Sequence, residues 1–466
     1  MPEFHSRFEK IDRRVPIDEH NCAVQFDVTK CKNCTLCRRA CADTQTVLDY
    51  YSLSSTGDMP ICVHCGQCSS ACPFGAIVEV NDVDKVKAAL KDPEKIVIFQ
   101  TAPAVRVGLG EAFGMDPGTF VEGKMVAALR TLGADYVFDT DFGADLTIME
   151  EATELLHRLQ SEEIPIPQFT SCCPAWVEFA ETFYPDLLQH LSSTKSPISI
   201  LSPVIKTYFA QQKNAEIRRP ELSASGLFWD EPEIRDTDIC ITTRELAQWI
   251  QDENIDFASL EDSKFDKAFG EASGGGRIFG NSGGVMEAAI RTAYHMFTGR
   301  PAPKDFIPFE PVRGLQGVKK ATVIFGHFVL HVAAISGLGN ARAFIDDLIK
   351  NDAFEDYSFI EVMACPGGCI GGGGQPKVKL PQVKKVQEAR TASIYKSDEE
   401  TDIKASWQNP EIETLYEAFL DEPLSEMAEF TLHTYFSDKS DQLGRMKNLT
   451  PQTNPMSPKY KPPTEE

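Results

Sequence analysis

The stretch Thr170-Ser-Cys-Cys-Pro-Ala-Trp176 follows a short predicted strand, Pro167–Phe169, and precedes a predicted helix. A second stretch, Met363-Ala-Cys-Pro-Gly-Gly-Cys-Ile-Gly-Gly-Gly-Gly-Gln-Pro376, follows the apolar run Phe359–Met363. Strands and helices alternate through this part of the sequence: the pattern predicts a strand at Tyr136–Asp139, a helix over Leu146–Leu159 and a buried strand at Phe359–Met363. Such alternation predicts parallel sheets with helices on their faces. Sites in such folds lie where strands end, so we expect both cysteine stretches to belong to a site.

Adjacent side chains of extended backbone point in opposite directions, so Cys172 and Cys173 are not expected to bind the same cluster. In the second stretch, Gly367, Gly368 and Gly371–Gly374 allow the backbone to approach a bulky inorganic group. A phosphate-binding loop is the alternative for such glycines, but it lacks the following Lys-Ser or Lys-Thr. Two packed core cysteines are the alternative for the first stretch.

Two further cysteine runs lie near the N-terminus, Cys31-x-x-Cys34-x-x-Cys37-x-x-x-Cys41 and Cys62-x-x-Cys65-x-x-Cys68-x-x-x-Cys72-Pro73. This spacing is typical of a bacterial ferredoxin with two [4Fe-4S] clusters, in which the fourth cysteine of each run binds the other cluster. Zinc ribbons, the alternative, use pairs of cysteines. We therefore predict an electron-transfer unit. Its first cluster is predicted on Cys31, Cys34, Cys37 and Cys72, and its second on Cys62, Cys65, Cys68 and Cys41.

The overall composition narrows the class of protein. A length of 466 residues predicts two or more domains. The formal charge of −23 argues against nucleic-acid binding. Its simplest explanation is that the charge keeps the protein soluble. Fourteen cysteines without an apolar secretory signal favour metal ligation in a reducing compartment over disulfides. The longest apolar run, 321–338, contains His327 and His331 and predicts a buried strand, so we expect no membrane span.

Three more stretches, Phe138–Leu155, Ile241–Leu246 and Ile278–Ala288, together with the two cysteine stretches, resemble the catalytic domain of iron-only (FeFe) hydrogenases. The likeness runs from about Lys30 to Tyr435, and its end is similar to the family's small subunit. It implies an α/β catalytic domain with two parallel-sheet lobes around a buried H-cluster, a small α+β ferredoxin-like domain and a helical C-terminal small-subunit-like segment. The predicted boundaries are an N-terminal extension (1–27), the ferredoxin-like domain (28–85), the catalytic domain (95–385), the small-subunit-like segment (386–445) and a disordered tail (446–466).

The resemblance also implies cofactors and residue roles. The H-cluster is a [4Fe-4S] cube joined through one cysteine to a di-iron unit with carbon monoxide, cyanide and a dithiolate. By resemblance, Cys173 and Cys365 bind the cube, and Cys369 bridges the cube to the di-iron unit. Cys172 is then the thiol that exchanges protons. The positions that continue its proton relay are Glu151, Ser192 and Glu154. The positions that match the wall around the di-iron unit are Ala102, Pro103, Ala104, Pro197, Phe279, Gly280 and Met363.

On a helix, Glu151 and Glu154 share one face and Arg158 follows Glu154 by four residues. Without the resemblance, a solvated helix face is an equal explanation for these carboxylates. With it, we expect a ferredoxin-linked hydrogenase that interconverts two protons and two electrons with H₂. The expected partners are a ferredoxin or similar small electron carrier and the hydrogenase maturation proteins, with no nucleic acid. The expected compartment is the cytoplasm, or a hydrogen-producing organelle such as the hydrogenosome.

The chain departs from the family after Pro203–Phe209. The family continues there into Met-Pro-Cys-x-x-Lys, whereas this sequence runs through 210–220 and rejoins the pattern, so one cube ligand and one lysine are absent. A skipped exon or faulty gene prediction is one explanation. A real site with an open iron position or a substitute ligand is the second, although the nearby spare cysteine, Cys240, is expected in the core. A non-catalytic relative, such as a sensor, an electron-transfer protein or an iron-sulfur assembly factor, is the third.

Overall fold

The computed structural model of the chain describes residues 13–161, 163–213, 235–303 and 317–449. Within these ranges, eight strands form three sheets. The strands are β1 (Val24–Phe26), β2 (Ile77–Glu79), β3 (Ile98–Thr101), β4 (Tyr136–Asp139), β5 (Gln168–Phe169), β6 (Val318–Phe325), β7 (Phe328–Ser336) and β8 (Phe359–Met363). The α-helices are α1 (Leu36–Arg39), α2 (Gln67–Ala71), α3 (Val83–Leu90), α4 (Val105–Gly108), α5 (Glu122–Thr131), α6 (Thr140–Gln160), α7 (Pro174–Phe183), α8 (Pro197–Val204), α9 (Ala210–Gln212), α10 (Thr243–Asp252), α11 (Gly274–Arg277), α12 (Gly284–Thr298), α13 (Leu338–Asn351), α14 (Val383–Glu400), α15 (Pro410–Leu415) and α16 (Glu426–Leu432).

The N-terminal cysteine runs belong to a small unit with its own sheet. Strands β1 and β2 pair antiparallel, with Phe26 opposite Ile77. Strand β1 lies before residue 28, within the predicted N-terminal extension (1–27). Residues 1–12 of the predicted N-terminal extension lie outside the described residues.

A two-stranded parallel sheet opens the larger part of the chain. Strand β3 pairs with β4, and Thr101 lies opposite Asp139. Helix α6 starts directly after β4, because the Asp139 side chain accepts a hydrogen bond from the Asp141 backbone N–H and caps the helix. The sequence pattern predicted its start only at Leu146. The first turns carry the buried polar residues Thr140, Asp141 and Asp145, which break the expected apolar periodicity.

The second sheet has four strands in the order β5-β8-β7-β6. Strands β5, β8 and β7 are parallel, whereas β6 pairs antiparallel with β7. The expectation of purely parallel sheets is therefore wrong for this edge. The predicted single buried strand over 321–338 is also wrong, because the chain reverses at Gly326, whose φ of +59° suits glycine. Ile324 and Val329, beside this turn, are 62% and 54% exposed.

The C-terminal segment is helical, as predicted, and packs against the catalytic part. Tyr416 donates a hydrogen bond to the buried carboxylate of Glu150, and His433 Nε2 lies 3.1 Å from the same carboxylate. Two short 3₁₀ turns within Ser440–Leu449, separated by a kink at Gly444, overlap the first residues of the predicted disordered tail. The rest of that tail, 450–466, lies outside the described residues. No helix of the described ranges is both long and apolar enough to cross a membrane.

The pairing of β5 with β8 positions the two cysteine stretches. Phe169 lies opposite Ile360, and the Thr170 N–H donates to the Ile360 carbonyl at 3.0 Å. Since parallel strands end at the same edge of a sheet, the loops that follow β5 and β8 leave side by side. Cys172 and Cys173 therefore face the loop of Cys365 and Cys369.

Candidate cluster sites and proton relay

The first group of N-terminal cysteines surrounds one pocket. Cys31, Cys34, Cys37 and Cys72 all line it, so the structure brings the fourth cysteine of the second run to the first run. Burial raises the pKa of the Cys37 thiol, and the charges of Cys72 and Cys34 raise it further. Backbone N–H groups point at the sulfurs: the Asn33 N–H lies 3.3 Å from Cys31 Sγ. Such amides favour thiolate and cluster charge.

The second group gathers around Cys41, Cys62 and Cys68. Burial raises the pKa of Cys68 to about 12, and the charges of Cys62 and Cys41 add to this shift. Burial likewise raises the pKa of Cys41 to about 11, with a contribution from Cys62. Cys65 lies in the same loop, and its pKa is raised by burial, with charges from Cys365, Cys68 and Cys41. The fourth cysteine of the first run thus lies with the second run.

The two cysteine loops have the same backbone conformation. Asn33 and Thr35 in the first run, and His64 and Gly66 in the second, all have positive φ values between +53° and +72°. A left-handed residue in each two-residue spacer turns the chain so that successive thiols converge. Among the described residues, no three Cys, His, Asp or Glu side chains are placed to hold a single metal ion. The converging thiols and the four-cysteine spacing suit [4Fe-4S] clusters, in which each thiolate binds a different iron.

The cysteines after β5 and β8 form a third group. The Ala364 N–H donates to Cys173 Sγ at 3.4 Å. Burial raises the pKa of Cys365 to about 12, with the charge of Cys173 as the next cause. Burial also raises the pKa of Cys369, again with contributions from Cys173 and Cys365. The structure therefore brings the three predicted H-cluster cysteines together.

These three thiols retain exposed surface. Cys369 has an exposed side chain by surface area and Cys173 and Cys365 are partly exposed, yet burial is the main cause of the raised pKa of each. Three neighbouring thiols that retain exposed surface suit an inorganic cluster better than a packed apolar core, in which such surface would be lost.

Cys172 contacts different residues from its neighbour. It packs against an apolar cluster that contains Phe279 and Met363, two of the predicted wall residues, whereas Cys173 packs against a different cluster that contains Trp176. Burial raises the pKa of Cys172 well above its usual range, and the nearby charge of Glu151 is the next cause. At neutral pH Cys172 is therefore a thiol beside a carboxyl group.

The predicted relay residues lie together beneath Cys172. Glu151 is fully buried, and burial raises its pKa to about 8, with the charges of Glu154 and Glu361 adding to the shift. Neither of its oxygens makes a hydrogen bond of good geometry to a described residue, although the Ser192 hydroxyl lies close enough to lower the pKa slightly. Ser192 donates to Glu154 at 2.7 Å. Arg158 donates to the other oxygen of Glu154 at 2.7 Å, and the Glu154 side chain is 13% exposed.

The other predicted wall residues surround the same region. Gly280 faces Ala102–Ala104: a Cβ built on it would lie 3.6 Å from both the Pro103 Cβ and the Ala104 N. Gly368, which has a φ of +99°, passes so close to the backbone of Ser282 that a side chain would not fit. Pro197 begins α8, where its carbonyl leaves no space for a side chain at Gly143 of α6.

Comparisons with known proteins agree with this geometry. The family description "Iron only hydrogenase large subunit, C-terminal domain" matches residues 95–373, more than half of the chain. The chain belongs to the iron-only hydrogenase family. "Iron hydrogenase small subunit" matches residues 384–439, and "4Fe-4S binding domain" matches residues 58–78. Its iron-sulfur cofactors are accordingly [4Fe-4S] clusters and the H-cluster.

Individual hydrogenases are similar over most of their length. The NADP-reducing hydrogenase subunit HndD of Solidesulfovibrio fructosivorans is 45% identical over 450 residues, which cover 88% of this chain and 74% of that protein. Iron hydrogenase 1 of Clostridium pasteurianum is 41% identical, covering 91% and 77% respectively. The structure of an apo variant of the [FeFe]-hydrogenase HydA1 from Chlamydomonas reinhardtii matches with a TM-score of 0.66 at 37% identity and covers 77% of this chain and 99% of that one.

The fit to the family's cofactors differs between the two regions. Eight thiols in two groups fit two [4Fe-4S] clusters. At the H-cluster, Cys173, Cys365 and Cys369 fit three of the four cube positions, and the sequence has no counterpart of the fourth. The interval where the family carries it begins at 210, and residues 214–234 lie outside the described residues.

Cys240 does not lie where the sequence predicted it. The residue is exposed and not part of the core, because the stretch before α10 has no regular structure that would bury it. Besides burial, the charges that raise its pKa are those of Asp82 and Glu245, with no cluster cysteine among them. The described structure therefore gives no support to Cys240 as a substitute ligand. Cys22, the other spare cysteine, is also exposed.

Two charged residues near the relay escaped the sequence analysis. Glu361, in the middle of β8, is fully buried and accepts hydrogen bonds from the N–H groups of Gly283 at 2.6 Å and Met286 at 3.0 Å. Lys319 is buried behind it and donates to the Ser282 carbonyl at 2.7 Å, and burial lowers its pKa to about 8. The sequence did offer one sign that Glu361 is unusual, since it is a glutamate inside an otherwise apolar predicted strand.

Proposed function

We propose that the chain is a ferredoxin-linked hydrogenase that interconverts two protons and two electrons with H₂. The observation that carries this proposal is the position of Cys172, a partly buried thiol with Glu151 and the cysteines Cys173 and Cys369 among its neighbours. The H-cluster, when bound, would supply the redox chemistry at these cysteines. The chain's own residues hold it, exclude bulk water and move protons.

The proton side of the reaction rests on groups that gain and lose protons readily. With a pKa of about 8, Glu151 is mostly protonated at neutral pH and can donate a proton to a Cys172 thiolate. Glu154, 13% exposed, is the relay member that meets solvent. Ser192 can accept a proton on its oxygen while donating its own, which links the two carboxyl groups. Arg158 holds Glu154 in the orientation that receives the serine hydroxyl.

The electron side rests on the N-terminal clusters. Cys34, beside the first pocket, is exposed, which supports electron entry from a small carrier at that end. We infer that this carrier is a ferredoxin or a similar small protein. Electrons then pass from the ferredoxin-like domain (28–85) to the catalytic domain (95–385). Maturation proteins that build the di-iron unit are the other proposed partners, and the cytoplasm or a hydrogen-producing organelle is the proposed compartment.

The enzyme proposal is tested by activity after maturation. Full-length chain loaded with the di-iron cofactor is expected to evolve H₂ from a reduced ferredoxin-type carrier. A matched version with the family's Met-Pro-Cys-x-x-Lys block inserted after Phe209 serves as the reference. The proposal fails for this chain when the reference evolves H₂ and the chain itself does not.

A second candidate function is an iron-sulfur protein without hydrogenase activity, serving electron transfer, sensing or cluster assembly. The absent fourth thiolate is the observation that favours it. This candidate predicts the eight irons of the two N-terminal clusters and no others. Iron content of purified protein separates the two candidates, and transcript sequence across Phe209–Pro220 tells whether the absent block belongs to the gene.

A further inference from the structure

Two glycines meet where the ferredoxin-like unit contacts the catalytic part. Gly66 follows Cys65, and Gly373 lies in the loop of Cys369. A Cβ built on Gly373 would lie 2.5 Å from the carbonyl carbon of Gly66, and one on Gly66 would lie 3.3 Å from the Gly373 Cα. The two backbones therefore approach this closely only because neither residue has a side chain.

Gln67 reinforces this contact from the ferredoxin side. It is the first residue of α2 and follows directly on the left-handed Gly66. Its Nε2 donates to the Gly371 carbonyl at 3.0 Å, and its side chain lies close enough to Cys365 to oppose the rise that burial causes in the pKa of that thiol. One amide thus lies close to both the glycine loop and a predicted cube ligand.

Arg244 joins the same two parts from the other side. It lies in Ile241–Leu246, a stretch that resembles the family but has no place in the relay or cluster sites. Its guanidinium donates to both carboxylate oxygens of Glu79, at 2.8 and 2.7 Å, and to Ser69 Oγ at 3.0 Å. It also donates to the Gln375 carbonyl at 2.6 Å. The Arg244 and Glu79 side chains are only 15% and 16% exposed, so solvent weakens the pair little.

These contacts bring cysteines of different clusters together. Cys65 directly precedes Gly66, and Gly373 follows Cys369 by four residues, so the contact between the two glycines brings a predicted ligand of the second cluster next to the loop of the H-cluster cysteines. Electron transfer between clusters falls steeply with the distance between them. Small changes at this contact therefore act strongly on the electron supply.

We propose that Arg244, Gly373 and Gln67 are positioning residues that fix the distance between the second [4Fe-4S] cluster and the cube of the H-cluster. The inference rests on the proposed function, because it takes Cys365 as a cube ligand. It assigns a role to Ile241–Leu246: the arginine of this stretch clamps the glycine loop onto the ferredoxin-like unit. Loss of the clamp separates the clusters without removing a ligand.

The test measures distance instead of activity. Full-length chain carrying its [4Fe-4S] clusters but no di-iron unit is reduced with dithionite, and the magnetic interaction between the second cluster and the cube is measured by electron paramagnetic resonance. The variants are R244A, R244K and G373A. Arg130→Ala is the matched control, since Arg130 pairs with Asp266 at 2.9 Å within the catalytic part and away from this contact.

The wild type and the Arg130 variant are expected to show the splitting of the electron paramagnetic resonance signal that two neighbouring reduced clusters produce. R244A and G373A are expected to lose it at unchanged iron content, and R244K to retain only part of it, since lysine cannot form the bidentate contact. Splitting as large in R244A and G373A as in the wild type would overturn the inference. Hydrogenase activity does not enter this measurement, so failure of the proposed function is seen separately, in the H₂ assay of matured protein.

Discussion

At the scale of single residues, Glu151 shows what a sequence can and cannot predict. The spacing of Glu151, Glu154 and Arg158 on one helix face was predicted from the sequence. The sequence did not predict that the carboxyl group of Glu151 is buried more deeply than that of Glu154. Glu151 is fully buried, with Ser192 and Glu361, both far away in sequence, among its neighbours, while Glu154 remains 13% exposed. The pKa of about 8 at Glu151 follows from that burial.

Substituting Glu151 by glutamine changes how stability depends on pH. The pKa of this carboxyl is about 8 in the folded protein and about 4.5 when unfolded. The folded state therefore binds more protons between these values, and the free energy of unfolding falls as pH rises through that window. Glu151→Gln removes this loss, so the variant is expected to be increasingly more stable than the wild type from about pH 5 to pH 8.

Thermal unfolding across that pH range measures this effect. Glu163→Gln, at an exposed position after α6, is the control and is expected to follow the wild type throughout. A constant difference between the Glu151 variant and the wild type at every pH would show that Glu151 titrates normally.

Removing the Ser192 hydroxyl is expected to interrupt the relay. Ser192→Ala separates Glu151 from Glu154 and should lower H₂ evolution by roughly 10²-fold, the lower range for a positioned proton-transfer group. Ser192→Thr keeps the hydroxyl and should restore much of the rate. Ser193→Ala is the control, because the Ser193 hydroxyl contacts His433 at 2.8 Å and not the relay. Equal losses in the Ser192 and Ser193 alanine variants would contradict the assignment.

At the scale of helices and strands, local signals predicted the elements that their own residues specify. The predicted strands Tyr136–Asp139 and Phe359–Met363 have the predicted bounds. The start of α6 was missed because its first turns bury polar residues that only tertiary partners satisfy: Asp145 accepts hydrogen bonds from Ser273, Ser406 and Asn409. The β6–β7 hairpin was missed because one glycine reverses an otherwise continuous apolar run.

The attachment of the C-terminal segment to α6 depends on Tyr416. Tyr416→Phe removes a donor from the fully buried carboxylate of Glu150 and leaves that oxygen less well satisfied. We expect a loss of about 1–3 kcal/mol in the free energy of unfolding. Tyr435→Phe, at a side chain that is 71% exposed, should change it little. Denaturant unfolding compares the two, and equal stability of both variants would show that the Glu150 contact does not hold the segment.

At the scale of the whole molecule, the cysteine spacing predicted iron-sulfur clusters, and the fold shows how the ferredoxin-like unit and the catalytic part contact each other. Motifs such as the two N-terminal runs are local, so sequence alone could group their thiols. The contacts between parts could not be predicted, because Arg244, Glu79 and Gln375 are distant in sequence and meet only in the folded chain. Although the Met-Pro-Cys block is absent, the predicted relay residues and three of the predicted cube ligands are present in the chain.

The central claim, that this chain as it stands binds an H-cluster, is tested most directly by infrared spectroscopy of the full-length protein after loading with the di-iron cofactor. Carbonyl and cyanide bands that persist after removal of free cofactor are the predicted result. A spectrum without these bands, from protein whose two N-terminal clusters are intact, would contradict the account.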